Sequence, residues 1–190
     1  MSKTSSTPLP PYFKFPLIAV GIMTLVKLTF YNLDVDQQTS SNTQIFIHMG
    51  LIILSIFFTL HTLDKRPGRE ASFIDDAKDG LKAGAIYALL ATSLVVIYYN
   101  FIDTDFFDQM QQRIFERADT EDAELSEAER REKIESFFNL SNWTLATLTG
   151  YMALAIVYSL LMALFMKVLR KVRRVENRRD HDGSKSDRPN

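Results

Sequence analysis

The chain has 190 residues, no cysteine, and a formal net charge of −1 from 22 basic and 23 acidic residues. That length holds one membrane-embedded helical domain with short pieces outside it, and no separate catalytic domain. The absence of cysteine excludes disulfides, iron–sulfur ligation and thiol chemistry.

Residues 1–14 are rich in Ser, Thr and Pro and read as a disordered segment on the cytoplasmic side. Four apolar stretches follow, at about 15–33, 44–63, 83–102 and 143–166. A helix needs ~20 mostly uncharged residues to cross a bilayer, and each stretch meets that length. Pro16 is expected in the first turn of the first span, where its missing N–H costs nothing. Lys27 is the one charge inside a span. No small-x-small cleavage site follows at Phe30–Asp34, so this segment reads as a retained anchor and not a signal peptide. The polar, acidic linker 34–42 suits a hairpin between antiparallel spans one and two.

After span two, Asp64-Lys65-Arg66-Pro67-Gly68-Arg69 forms a turn whose cations are expected at lipid headgroups. Ser72-Phe73-Ile74-Asp75 reads as a capping box with Asp in place of Glu. It opens a surface helix that bends into span three near Gly80. The linker 103–142 carries 12 acidic and 5 basic residues. Phe106, Met110 and Ile114 recur at i+4, which predicts an amphipathic helix over 104–117 with an interaction face. Ser126 and Glu129 form a second capping box, opening a helix to about Phe138. Ser141 is expected to cap span four, and Trp143 to sit at the membrane interface. Beyond Met166 the helix leaves the membrane as a basic stretch, with 171–190 a cytoplasmic tail that is polar and irregular from Asn177.

Placing both termini and the 61–82 loop in the cytoplasm puts 16 of the 22 basic residues inside. The excess of Lys and Arg on that side sets the orientation. The fold class is therefore all-α: a polytopic membrane protein of four transmembrane helices, with a helical extracytoplasmic linker between helices three and four. The expected arrangement of the spans is a four-helix bundle.

Small residues recur on span three (Gly80, Gly84, Ala88) and span four (Gly150, Ala155, Ser159). Such faces let helix backbones approach closely, within the chain or across a homodimer. An ionisable residue inside a membrane points to function by default. Lys27 lies about 10 Å below Asp34 at 1.5 Å per residue, within reach of snorkelling to Asp34 or Asp36. His48 and Asn100 fall at a similar depth and define a polar level with it. Asp103, Asp105 and Asp108 superficially resemble a calcium loop but lack its Gly and terminal Glu. No metal, cofactor or catalytic residue is expected, and nucleic-acid binding has no supporting fold.

The run Ser72 to Gly84, followed by Tyr98-Tyr99-Asn100-Phe101-Ile102-Asp103-Thr104-Asp105-Phe106-Phe107, resembles the bacterial four-span membrane family catalogued as domain of unknown function 4199. The resemblance is strongest over about 70–170. Thr104 stands where that family's pattern has Pro, which implies a looser exit from span three. The resemblance implies a bacterial inner-membrane setting and brings no activity, ligand or catalytic residue. The expected function is a non-enzymatic interaction or accessory role in a membrane complex. Its partners would be the bilayer, a membrane or periplasmic protein or a second copy, and anionic lipid at the basic tail. The alternative is a small oligomeric transporter or channel using Lys27, His48 and Asn100.

Overall fold

A computed structural model describes residues 9–35, 37–118 and 126–186. In chain order the helices are α1 (Pro11–Asn32), α2 (Gln37–Asp64), α3 (Phe73–Phe101), α4 (Phe106–Ala118), α5 (Glu127–Phe137) and α6 (Leu140–Ser186). Among the described residues there is no strand. α1, α2, α3 and α6 are each long and apolar enough to span a membrane, and the protein is an all-α, multi-pass membrane protein.

Local sequence accounts for most helix ends. The Ser72 hydroxyl accepts from the Asp75 N–H while the Asp75 carboxylate accepts from the Ser72 N–H, and Ser126 and Glu129 repeat the arrangement. Each box satisfies two otherwise orphaned donors. Other ends differ from expectation. Pro11 takes the first helical position, so α1 starts before residue 15 and Pro16 lies inside the helix, buried. The N-terminal residues 1–8 lie outside the described ones. α2 begins at Gln37, which turns most of the expected 34–42 linker into helix. The reversal is concentrated at Asp34, whose φ of 49° is left-handed, a conformation Asp tolerates better than most side chains. The helix opened at Ser72 runs on into span three, Phe73 to Phe101 being one uninterrupted α-helix. Asn139, rather than Ser141, caps α6, with its side-chain oxygen accepting from the Asn142 N–H at 3.0 Å. α6 also continues through residues read as an irregular tail, as far as Ser186.

α3 and α6 make the most extensive helix contact. Gly84 permits it: a Cβ there would lie 2.6 Å from the Ala155 Cβ. A Cβ at Gly80 would press on Ile56 and Ser159 at 3.2 Å. Ala88 is fully buried. In lipid, where apolar burial drives no association, such close backbone approach lets dispersion hold the helices together. The small-residue face therefore serves packing within the chain. Gly150 does not share in it, since nothing lies within 4 Å of the Cβ it lacks.

Met23, Ile52, Ile56, Leu60, Tyr87 and Met166 are fully buried and form part of the core among the four long helices. Leu25, Leu54, Leu89, Ile97 and Leu161 point outward and are exposed. Apolar side chains on every face identify these as helices solvated by lipid.

At one end of the long helices sit α4 and α5. Phe106 is buried against Tyr99, with ring centroids 4.3 Å apart, and also faces Trp143 at 6.1 Å. The Gln111 side chain donates to the Phe138 carbonyl at 2.6 Å, tying α4 to the end of α5. The Phe106/Met110/Ile114 face is thus partly consumed inside the chain: Phe106 is buried and the other two are half-buried.

Candidate functional site: a buried lysine between two cavities

Lys27 projects from α1 near the end that carries α4 and α5, and it is only 4% exposed. Its Nζ lies over the ring faces of Tyr98 at 4.4 Å and Tyr99 at 4.9 Å. Aromatic faces carry negative quadrupolar charge and attract a cation by ~0.5–2 kcal/mol. Among the described residues no carboxylate comes within ion-pair distance of it. The expected snorkelling contact with Asp34 therefore does not form, and Asp36 lies outside the described residues. The tyrosines roof the ammonium over because consecutive positions near the α3 terminus turn Tyr98 and Tyr99 toward α1.

His48 of α2 lies nearby and is also buried. Its Nδ1 shares a 2.7 Å hydrogen bond with the hydroxyl of Tyr87, the donor being set by the imidazole tautomer. Its ring packs against Tyr151 at 4.8 Å. Asn100 does not join them. It is exposed, and its amide donates to the Val96 carbonyl of its own helix at 2.8 Å. At 100° per residue, turning Tyr98 and Tyr99 inward turns Asn100 away. The polar level consists instead of Lys27, His48 and Tyr87, with Tyr98, Tyr99 and Tyr151 around them. Sequence reading missed the tyrosines because each is also an ordinary membrane-interface residue. The adjacent pair Tyr98-Tyr99, near the same end of its span as Lys27 is of its own, was the available signal.

Two cavities meet at Lys27. One, of about 690 Å³, is a polar vestibule whose lining includes Lys27, Tyr31, Asp34, Tyr98, Asp103 and Arg113. The other, of about 380 Å³, runs between α2, α3 and α6 and is lined by Lys27, Gln44, His48, Tyr99, Trp143 and Tyr151, among others. Ala146 and Gly150 border this second cavity instead of packing against a helix. Partial burial raises the Asp103 carboxyl above its ordinary range; the Lys27 charge pulls it down and Asp105 pushes it up. Among the described residues no group of three His, Asp or Glu side chains is arranged to hold a metal ion.

The opposite end is closed by ion pairs. Arg170 of α6 donates to Asp64 of α2 at 2.6 Å, to Asp76 of α3 at 2.6 Å and to the Ala71 carbonyl at 2.8 Å. Asp76 is fully buried and also meets Arg69 at 3.3 Å; Arg69 in turn pairs with Asp79 at 2.9 Å. Arg69 and Arg170 are thus committed to carboxylates, whereas the reading of the 64–69 turn and the basic stretch had assigned such cations to lipid headgroups or topology. Lys167 and Lys171 remain exposed. Acids interleaved with the cations of 64–79, Asp64, Asp76 and Asp79 among them, were the overlooked sign.

Four apolar helices, with a buried cation opening onto a vestibule near one end, define a polytopic membrane protein built around a single polar level. The family described as "Protein of unknown function (DUF4199)" matches residues 14–168, and the chain belongs to it. The match reaches back through α1 and α2, beyond the stretch whose motifs carried the resemblance. No curated protein and no solved structure matches the chain.

Proposed function

We propose that this chain is a non-enzymatic accessory protein of the bacterial inner membrane, with both termini cytoplasmic and α4 and α5 outside. In this reading the vestibule above Lys27 is where it engages its partner or ligand, and exposed Lys167 and Lys171 meet anionic lipid. One observation carries the reading: the Lys27 level is closed toward the far end of the helices. Below it lie the buried side chains of Met23, Ile52, Ile56 and Leu60, and the far end is closed by the Arg170 ion pairs. A site closed toward the far end supports binding over passage. The test is to isolate the full chain from native membranes in mild detergent, with wild-type Arg113 and with Arg113→Glu at the vestibule. A single near-stoichiometric partner lost in the variant is the expected outcome. A homo-oligomer without partner that passes solute in reconstituted vesicles would refute it.

The transport reading keeps one point in its favour, which is that Lys27 borders both cavities. It requires Tyr87 and Met23 to move aside. In that case Lys27→Met abolishes flux in a protein that stays folded.

A further inference from the structure

We propose that the groove between α2 and α6 binds an anionic membrane amphiphile, its phosphate or carboxylate head on Lys27 and its tail along the groove. This deepens the binding reading above by naming what the Lys27 level holds. Lys27 is 4% exposed with its Nζ over two ring faces, and Asp103, whose charge it feels from the vestibule, makes no ion pair with it. Ring faces recover only part of what a cation loses on leaving water, and an anion at Nζ would supply the rest.

The shape of the groove selects the class of anion. Its polar end is Lys27, Gln44 and His48, while Val95, Tyr151 and Leu154 give it an apolar length. A ligand divided the same way, with one charged end and one hydrocarbon end, matches both parts; a compact ion matches only one. The mouth faces lipid. Ile45 is 57% exposed, nothing lies within 4 Å of the Cβ position at Gly150, and both belong to membrane spans. The groove therefore opens sideways onto acyl chains. From the aqueous side, Asp34 and Asp103 share the vestibule with Arg113 and oppose entry of a free anion.

The sole tryptophan, Trp143, lines this groove and reports on it. The full chain would be reconstituted in phosphatidylcholine vesicles and its fluorescence quenched with acyl-brominated phosphatidylglycerol or, in parallel, acyl-brominated phosphatidylcholine. The anionic lipid is expected to quench at a several-fold lower mole fraction. That preference should vanish in Lys27→Met and survive in Lys27→Arg. Ala146→Leu, which narrows the groove and leaves Lys27 in place, should also remove it, and this variant carries the test if Lys27→Met does not fold. Equal quenching by the two lipids in the wild type, or a preference that persists in Ala146→Leu, overturns the proposal. So does relief of quenching by inorganic phosphate, which would assign the site to a water-borne anion. If lipid selectivity is absent while a partner still depends on Arg113, only this inference fails and the accessory reading stands.

Discussion

Replacing Arg170 with Gln should destabilise the protein more than any other single change of a basic residue on α6. Arg170 joins α2, the α2–α3 turn and α3 through three short hydrogen bonds, two of them to carboxylates. Bonds to charged groups contribute ~1.5–3 kcal/mol each, but contributions from one network do not add. Breaking a buried pair by removing one partner typically costs ~3–5 kcal/mol, because the other charge stays buried. Two facts lower that figure here: Arg170 is 20% exposed, and Asp76 keeps Arg69 at 3.3 Å. A loss of ~3 kcal/mol is the expected result. Arg173 provides the control. It is 47% exposed and reaches Asp64 only at 3.4 Å, so Arg173→Gln should cost under ~1 kcal/mol. Equilibrium unfolding in mixed micelles of mild detergent and SDS, followed by circular dichroism, measures both. Adding Asp76→Asn to Arg170→Gln should recover part of the loss, since the more buried of the two carboxylates that lose Arg170 is then uncharged. Equal effects of the Arg170 and Arg173 changes, or a double variant whose losses simply add, would refute the clamp.

Gly84→Val should cost ~1–3 kcal/mol by overpacking, because its Cβ would meet Ala155 at 2.6 Å. Gly150→Ala should leave stability unchanged or raise it by ~0.5–1 kcal/mol; the same unfolding assay compares them, and a reversed order contradicts the α3–α6 assignment. Phe106→Ala should leave Phe107 as the α4 ring on Tyr99 and Trp143 and shift the emission of the sole tryptophan to longer wavelength, whereas unchanged emission would mean that Phe106 does not anchor α4. Hydrogen bonds from the Ser126 side chain and backbone hold the Glu129 carboxyl below its ordinary range. A depressed carboxylate stabilises above its unfolded value and loses that contribution as pH falls through the folded one. Amide-exchange protection at the start of α5 should therefore fall on acidification below the ordinary glutamate range. Ser126→Ala should abolish that dependence, and a pH profile unaffected by the substitution would count against the box.

By itself the sequence determined what depends on neighbours along the chain. Four spans follow from length and hydropathy, the Ser72 and Ser126 boxes from a three-residue spacing, and α4 from apolar residues at i+4. These are local signals, and each reappears in the structure within a few residues, apart from the ends set by Pro11, Gln37 and Asn139. Tertiary structure decided what depends on the rotation of each helix about its axis. That phase turns Tyr98 and Tyr99 over Lys27 and sends Asn100 outward. It also seats Gly84 on Ala155 while leaving Gly150 beside an open groove. Arg170 meets acids 94 and 106 residues earlier in the chain, a pairing no local pattern encodes. Hydropathy marks which segments enter lipid, but it is nearly the same on every face of these helices. Steric fit and the few polar groups therefore set how they face one another, and with that where the buried lysine opens.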